Sequence, residues 1–154
     1  MRLLIFAFLA ICSTAIAAET QQITFTSSDG FAVTASAVGE VRNERPFLKV
    51  VLQNAVLRKN PRFPRPERVA SYRIGIAYYN GTPGWDTKSW SEPVTIDKTL
   101  FEEQVIDLGK PVFKIPIDKL SSLHDSWLVI EVTLIQNDGS TGKTYAHSGK
   151  LTFR

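Results

Sequence analysis

"VASYRIGIAYY" (residues 69–79) decides the fold class, because its apolar residues return at every second position. Tyr72, Ile74, Ile76 and Tyr78 fall on one side of an extended chain, whereas an amphipathic helix needs spacings of three and four. The same period runs outward from it. "QITFTSSDGFAVTASAV" (22–38) reads as strand, turn and strand, with Ile23 and Phe25, then Phe31, Val33 and Ala35, on one face and Asp29-Gly30 as the turn. "FLKVVLQNAVL" (47–57) reads as one long strand, and "EQVIDL" (103–108) and "VFKIPI" (112–117) as a pair around Gly109-Lys110-Pro111. Pro116 places the second of these at an edge or a bulge. "SWLVIEVTLIQ" (126–136) is apolar enough on both faces to be central, and "NDGSTG" (137–142) turns the chain into "KTYAHSGKLTFR" (143–154), which ends it as one bent or two short strands. "IDKLSSLHDS" (117–126) carries the one helical hint, a single turn capped by Asp118 and ending near Leu123. About eight strands separated by turn signals predict an all-β chain, a β-sandwich with a barrel as the alternative.

The first residues, "MRLLIFAFLAICSTAIAAET", have the order of a secretory leader: Arg2, an apolar stretch from Leu3 to Ile11, and the small-residue site Ala15-Ile16-Ala17. The expectation is a leader over 1–17 and one β-sandwich domain over 18–154, secreted or periplasmic. The apolar run is shorter than the roughly 20 residues of a membrane span, so the chain is not expected to be an integral membrane protein. Cys12, the sole cysteine, lies in the leader, and Ile11 before it argues against a lipid anchor. The domain therefore has no disulfide and relies on its core, which about 140 residues can supply. With 18 basic and 15 acidic side chains, and one basic residue fewer once Arg2 is cut away, the chain is too balanced for a nucleic-acid binder.

Catalytic patterns are weak. "NDGSTGKT" (137–144) echoes a phosphate-binding loop but has Asn137 where the motif needs glycine, and Asp138-Gly139 between strands is a hairpin signal. His124 and His147 stand apart with no cysteine or carboxylate cluster, so neither a metal nor another cofactor is expected. Glu102 and Glu103 are adjacent and would point to opposite sides of a strand. The chain reads as a non-enzyme. Binding is a better fit for two segments. "RKNPRFPRPER" (58–68) alternates Arg58, Lys59, Arg62, Arg65 and Arg68 with prolines, a stiff cationic stretch for an acidic partner or a solvated crossover. "WDTKSWSEP" (85–93) sets Trp85 and Trp90 among serines, as a recognition element or as the cover of a sheet edge.

"YRIGIAYYNGTPGWDTKSWSEPVTI" (72–96) resembles the end of a fibronectin type III domain, in which a Tyr-rich strand runs into an Asn-Gly loop and a Trp-Ser-x-Pro-Val edge strand. Tyr72, Ile74, Ile76, Asn80, Gly81, Trp90, Ser91, Pro93 and Val94 fill those places. Ser89-Trp90-Ser91 is similar to the second half of the Trp-Ser-x-Trp-Ser box of class I cytokine receptors. Trp85 lies two residues too far upstream, and of the alternating arginines only Arg73 is present. The resemblance implies a fibronectin type III or immunoglobulin-like sandwich with additional strands, and a structural ladder of Tyr72 and Arg73 on which Trp90 packs, with Trp85, in the Pro83-Gly84 turn, the more exposed ring. It also implies protein binding through Trp85, Ser89, Trp90 and Ser91, with host cytokines as the partner, as in small secreted bacterial interleukin-receptor mimics. An envelope structural or adhesin-like subunit is the alternative. Nearly sixty residues follow Ile96, where the match ends, and strand-forming sequence runs on past Pro93, where such a domain should finish, so a homodimer by strand exchange is expected, with "EPVTIDKTLFEEQ" (92–104) as the connection.

Overall fold

A computed structural model describes residues 19–27, 32–41, 47–59, 67–79, 81, 84–100, 104–118 and 120–153. The alternating segments form strands β1 (Glu19–Ser27), β2 (Ala32–Val41), β3 (Phe47–Leu52), β4 (Ala55–Arg58), β5 (Glu67–Tyr78), β6 (Asp86–Trp90) and β7 (Val94–Leu100). They continue with β8 (Val105–Gly109), β9 (Val112–Pro116), one turn of 3-10 helix (Leu120–Leu123), β10 (Trp127–Ile135) and β11 (Thr141–Lys150). The described chain is all-β, and every strand pairing in it is antiparallel. Among the described residues no helix is long and apolar enough to cross a membrane.

The order is β6-β5-β10-β11-β1-β2-β3-β9, with β7 on β5 beside β6 and β4 joining β2 to β8. Strand β1 links the two layers: residues 25–27 pair with β11, and residues 19–25 pair with β2. The result is sandwich-like, and the long sheet curls until β6 comes near β9 without pairing to it. Between the layers lies a core that includes Phe25, Leu48, Leu52, Leu57, Ile74, Ile115, Leu128, Ile130 and Phe153. Tyr72 crosses it. Its ring meets Phe113 edge-on, 5.8 Å between centroids, and its hydroxyl donates to the Leu108 carbonyl, tying β5 to β8. Burial, helped by the nearby Asp107 charge, pushes this phenol up to about 12.

Three expectations change. The stretch 47–57 is not one strand: the chain kinks at Gln53-Asn54, where the Ala55 amide donates back to the Gln53 carbonyl at 2.8 Å. Segments 103–108 and 112–117 do not pair with each other. They run on as one bent partner of that kinked strand, β9 against β3 and β8 against β4, with the Leu52 amide bonded to the Pro111 carbonyl at the bend. A two-residue periodicity cannot show such a bend, because alternation survives it on both sides. The strands after Pro93 are not surplus either: β7 lies on β5, β8 on β4 and β9 on β3, while β10 and β11 fill the middle of the sheet, so each of these described strands has a partner within the chain.

An aromatic and cationic face as candidate binding site

On β5 the residues turned away from the core are Arg73, Gly75 and Ala77. Register places Gly75 opposite Trp90 of β6 on one side and Val129 of β10 on the other, with His147 of β11 beyond. The next row reads Arg73, Glu131, Tyr145. A sheet face turned to water is ordinarily polar. This one carries a ladder of rings and charges.

Gly75 makes room for it. A Cβ at that position would sit 2.6 Å from Cε3 of Trp90 and 2.6 Å from Cγ2 of Thr87, so the Trp90 ring occupies the space a side chain would take. The Arg73 guanidinium stacks over that ring, 4.1 Å from its centroid, a cation–π contact. Arg73 Nε also donates to Glu131 Oε1 at 3.0 Å, and Lys143 Nζ donates to Oε2 at 3.1 Å. Glu131 is 4% exposed, and a buried carboxylate is tolerable only with such partners. The Tyr145 hydroxyl also bonds it. Burial foremost, then the charge of Glu131 and this hydrogen bond, raise the Tyr145 phenol, and Arg73 opposes the rise. Trp85 closes the face from the segment before β6. It meets Tyr145 edge-on at 5.2 Å and His147 at 5.3 Å, and Val129 on this outward face is fully buried.

Trp85 and Trp90 are both half-buried, so Trp85 is not a free ring at the tip of a turn. Arg73 is the one arginine of the ladder, and the next outward position, Gly75, gives its side-chain space to the Trp90 ring. Two serines leave the predicted surface. Ser89 pairs with Ile76 and so faces the opposite side of β6 from Trp90. Ser91 is 6% exposed and works as a clamp: its amide donates to the Ile74 carbonyl at 2.8 Å, and its hydroxyl accepts from the Ile74 amide at 3.1 Å.

The basic stretch does not assemble as one patch. Arg58 ends β4 exposed, but the Lys59 side chain is fully buried, 3.9 Å from Glu67, where solvation was expected. Arg68, on β5 in the other layer, is held by Asp97 at a bulge in β7 where Asp97 takes φ +52°. Arg62 and Arg65 lie outside the described residues. Among the described residues no group of three or more His, Cys, Asp or Glu side chains could hold a metal. His124 stands 3.7 Å from Asp125, and His147 belongs to the ladder. Asp138-Gly139 forms the hairpin turn, with Gly139 at φ +82°.

Sequence reasoning missed Glu131, Lys143 and Tyr145. Their signal was present: Glu131 is the one charge inside an apolar strand, and Lys143, Tyr145 and His147 alternate on its neighbour. No protein-family model matches the chain, nor does any curated protein or solved structure.

Proposed function

We propose that this chain is a secreted, non-catalytic β-sandwich that binds another protein through the outward face of β6, β5, β10 and β11. The observation that carries the reading is the contiguous, half-buried surface of Trp85, Trp90, Arg73 and Tyr145, locked by Gly75 below and Glu131 beside. Tryptophan, tyrosine and arginine dominate the energetics of protein interfaces, and rings already fixed in place lose little freedom on binding. The similarity of Ser89-Trp90-Ser91 to the cytokine-receptor box names the partner class, a host cytokine.

A second reading, an envelope assembly subunit, draws on a different feature. Val105 and Val112 are 42% and 53% exposed on β8 and β9, whose outer edges carry no strand in the described structure. Such an edge can accept a partner's strand. Capture with the purified protein from host extracellular fluid and from bacterial envelope extract separates the two. The expected result is a cytokine retained from the host fluid and lost with Trp85→Ala while the circular dichroism of the sheet persists. Retention only from envelope extract, unaffected by Trp85→Ala, refutes the first reading.

A further inference from the structure

At the end of the sheet where β5 and β11 stop and β10 begins, an open-sided cleft of about 390 Å³ separates the strands from the 3-10 turn. Small-molecule sites span about 300–1,000 Å³, so the volume suits a compact ligand. Tyr79 is 62% exposed there, the largest exposure of any large apolar side chain among the described residues. Trp127 and Tyr78 bring further ring surface. The polar groups are arranged in pairs. Lys88 Nζ lies 4.2 Å from the centroid of the Tyr78 ring, and the Tyr78 hydroxyl donates to Asp86 at 2.9 Å. Asp125 accepts from Lys150 at 3.1 Å and has His124 at 3.7 Å. Asp125 takes φ +61°, a conformation that few residues other than glycine, asparagine and aspartate hold comfortably.

The pairing decides the ligand class. Lys150 already faces Asp125, so an anion at Lys150 would compete with that carboxylate and a cation at Asp125 would compete with Lys150, while Lys88 lies over the Tyr78 ring. A neutral polyhydroxyl compound has no such conflict. Its hydroxyls both donate and accept, so they can join the Asp125–Lys150 and His124 groups at the same time, and its C–H faces can lie on Tyr79 and Trp127. We propose that this cleft binds a neutral saccharide, free or as the glycan of a glycoprotein. The cleft shares no residue with the Trp85–Tyr145 contacts and does not depend on the function proposed above.

The test is a nuclear magnetic resonance titration of the purified protein with a panel of neutral methyl hexosides and disaccharides. Saturable shifts confined to Tyr79, His124, Asp125, Trp127 and their neighbours are expected, with affinity falling about tenfold or more in Tyr79→Ala and in Asp125→Gly, which keeps the positive φ of that position, an amount typical of losing one well-placed contact. Both variants lie on exposed positions, and unchanged melting temperatures will show that the fold is intact. A glycoprotein bound before but not after enzymatic deglycosylation identifies the glycan source; binding of the free sugars alone identifies the other. Shifts produced by inorganic phosphate and not by sugars, no shift with any member of the panel, or sugar binding unaffected by Tyr79→Ala would each overturn the proposal.

Discussion

Lys59 shows what a single residue can hide. In "RKNPRFPRPER" it is one cation among five, and nothing local distinguishes it from Arg58. In the fold its side chain is fully buried against Glu67, because Lys59 takes the next inward position after Ala55 and Leu57 and meets the first residue of β5. Burial raises the Glu67 carboxyl above its ordinary value, and the Lys59 charge opposes that rise. Removing one member of such a pair leaves a buried charge unopposed, so Lys59→Met is expected to cost about 3 kcal/mol, while Lys59→Met with Glu67→Leu recovers most of the loss. The pH dependence has a fixed sign. A carboxyl whose folded value is raised favours the fold below its unfolded value and loses that contribution as pH climbs through the raised one. Without Lys59 the rise is larger, so the stability deficit of Lys59→Met will grow from about pH 4 to about pH 7. Melting curves of the three proteins at both pH values check this; a deficit independent of pH would show that Glu67 is not the group left exposed to it.

Elements were more legible than residues, and the reasons are physical. β5, β10 and β11 announce themselves because alternation records which side of a strand meets the core, and the turns at Asp138-Gly139 and after Tyr79 use residues that tolerate unusual backbone angles. What alternation does not record is the partner of each strand. The kink at Gln53-Asn54 hands the chain from β3 to β4, and the equivalent bend at Pro111 does the same from β8 to β9, so one bent ribbon was read as a strand and a hairpin. The end of β6 is a second case. "WSEP" looked like a recognition motif as a block, yet Trp90 lies on Gly75 while Ser91 extends the edge of β5 by bonding Ile74 twice. Ser91→Ala leaves the Ile74 amide buried without that acceptor, at an expected cost of about 1–3 kcal/mol, and Ser91→Thr keeps the hydroxyl and most of the stability. Chemical denaturation of both variants, with amide exchange at Ile74, tests the clamp. Equal stability of Ser91→Ala and the parent would show that the hydroxyl is dispensable.

Across the whole molecule, the two layers join through β1 along one side and leave β6 and β7 facing β8 and β9 along the other, where the Tyr72 hydroxyl bridges to Leu108. Every described strand finds a partner within the chain, which leaves faces and outer edges as its open surfaces. The outward face of β6, β5, β10 and β11 is the one that departs furthest from a water-facing sheet. Its composition follows from a chain of dependencies: glycine at 75 admits Trp90, Trp90 carries Arg73, Arg73 and Lys143 hold Glu131, and Tyr145 supports Trp85. Only the first two of these lie within one stretch of sequence; the others join strands more than fifty residues apart, which no local pattern could bring together. Footprinting by covalent surface labelling, comparing the free protein with the protein bound to a partner captured from host extracellular fluid, reads this face directly. The account predicts protection of Trp85, Tyr145, His147 and Lys143; equal labelling of these residues in both states, with protection confined to the Val105 and Val112 edge, would contradict it.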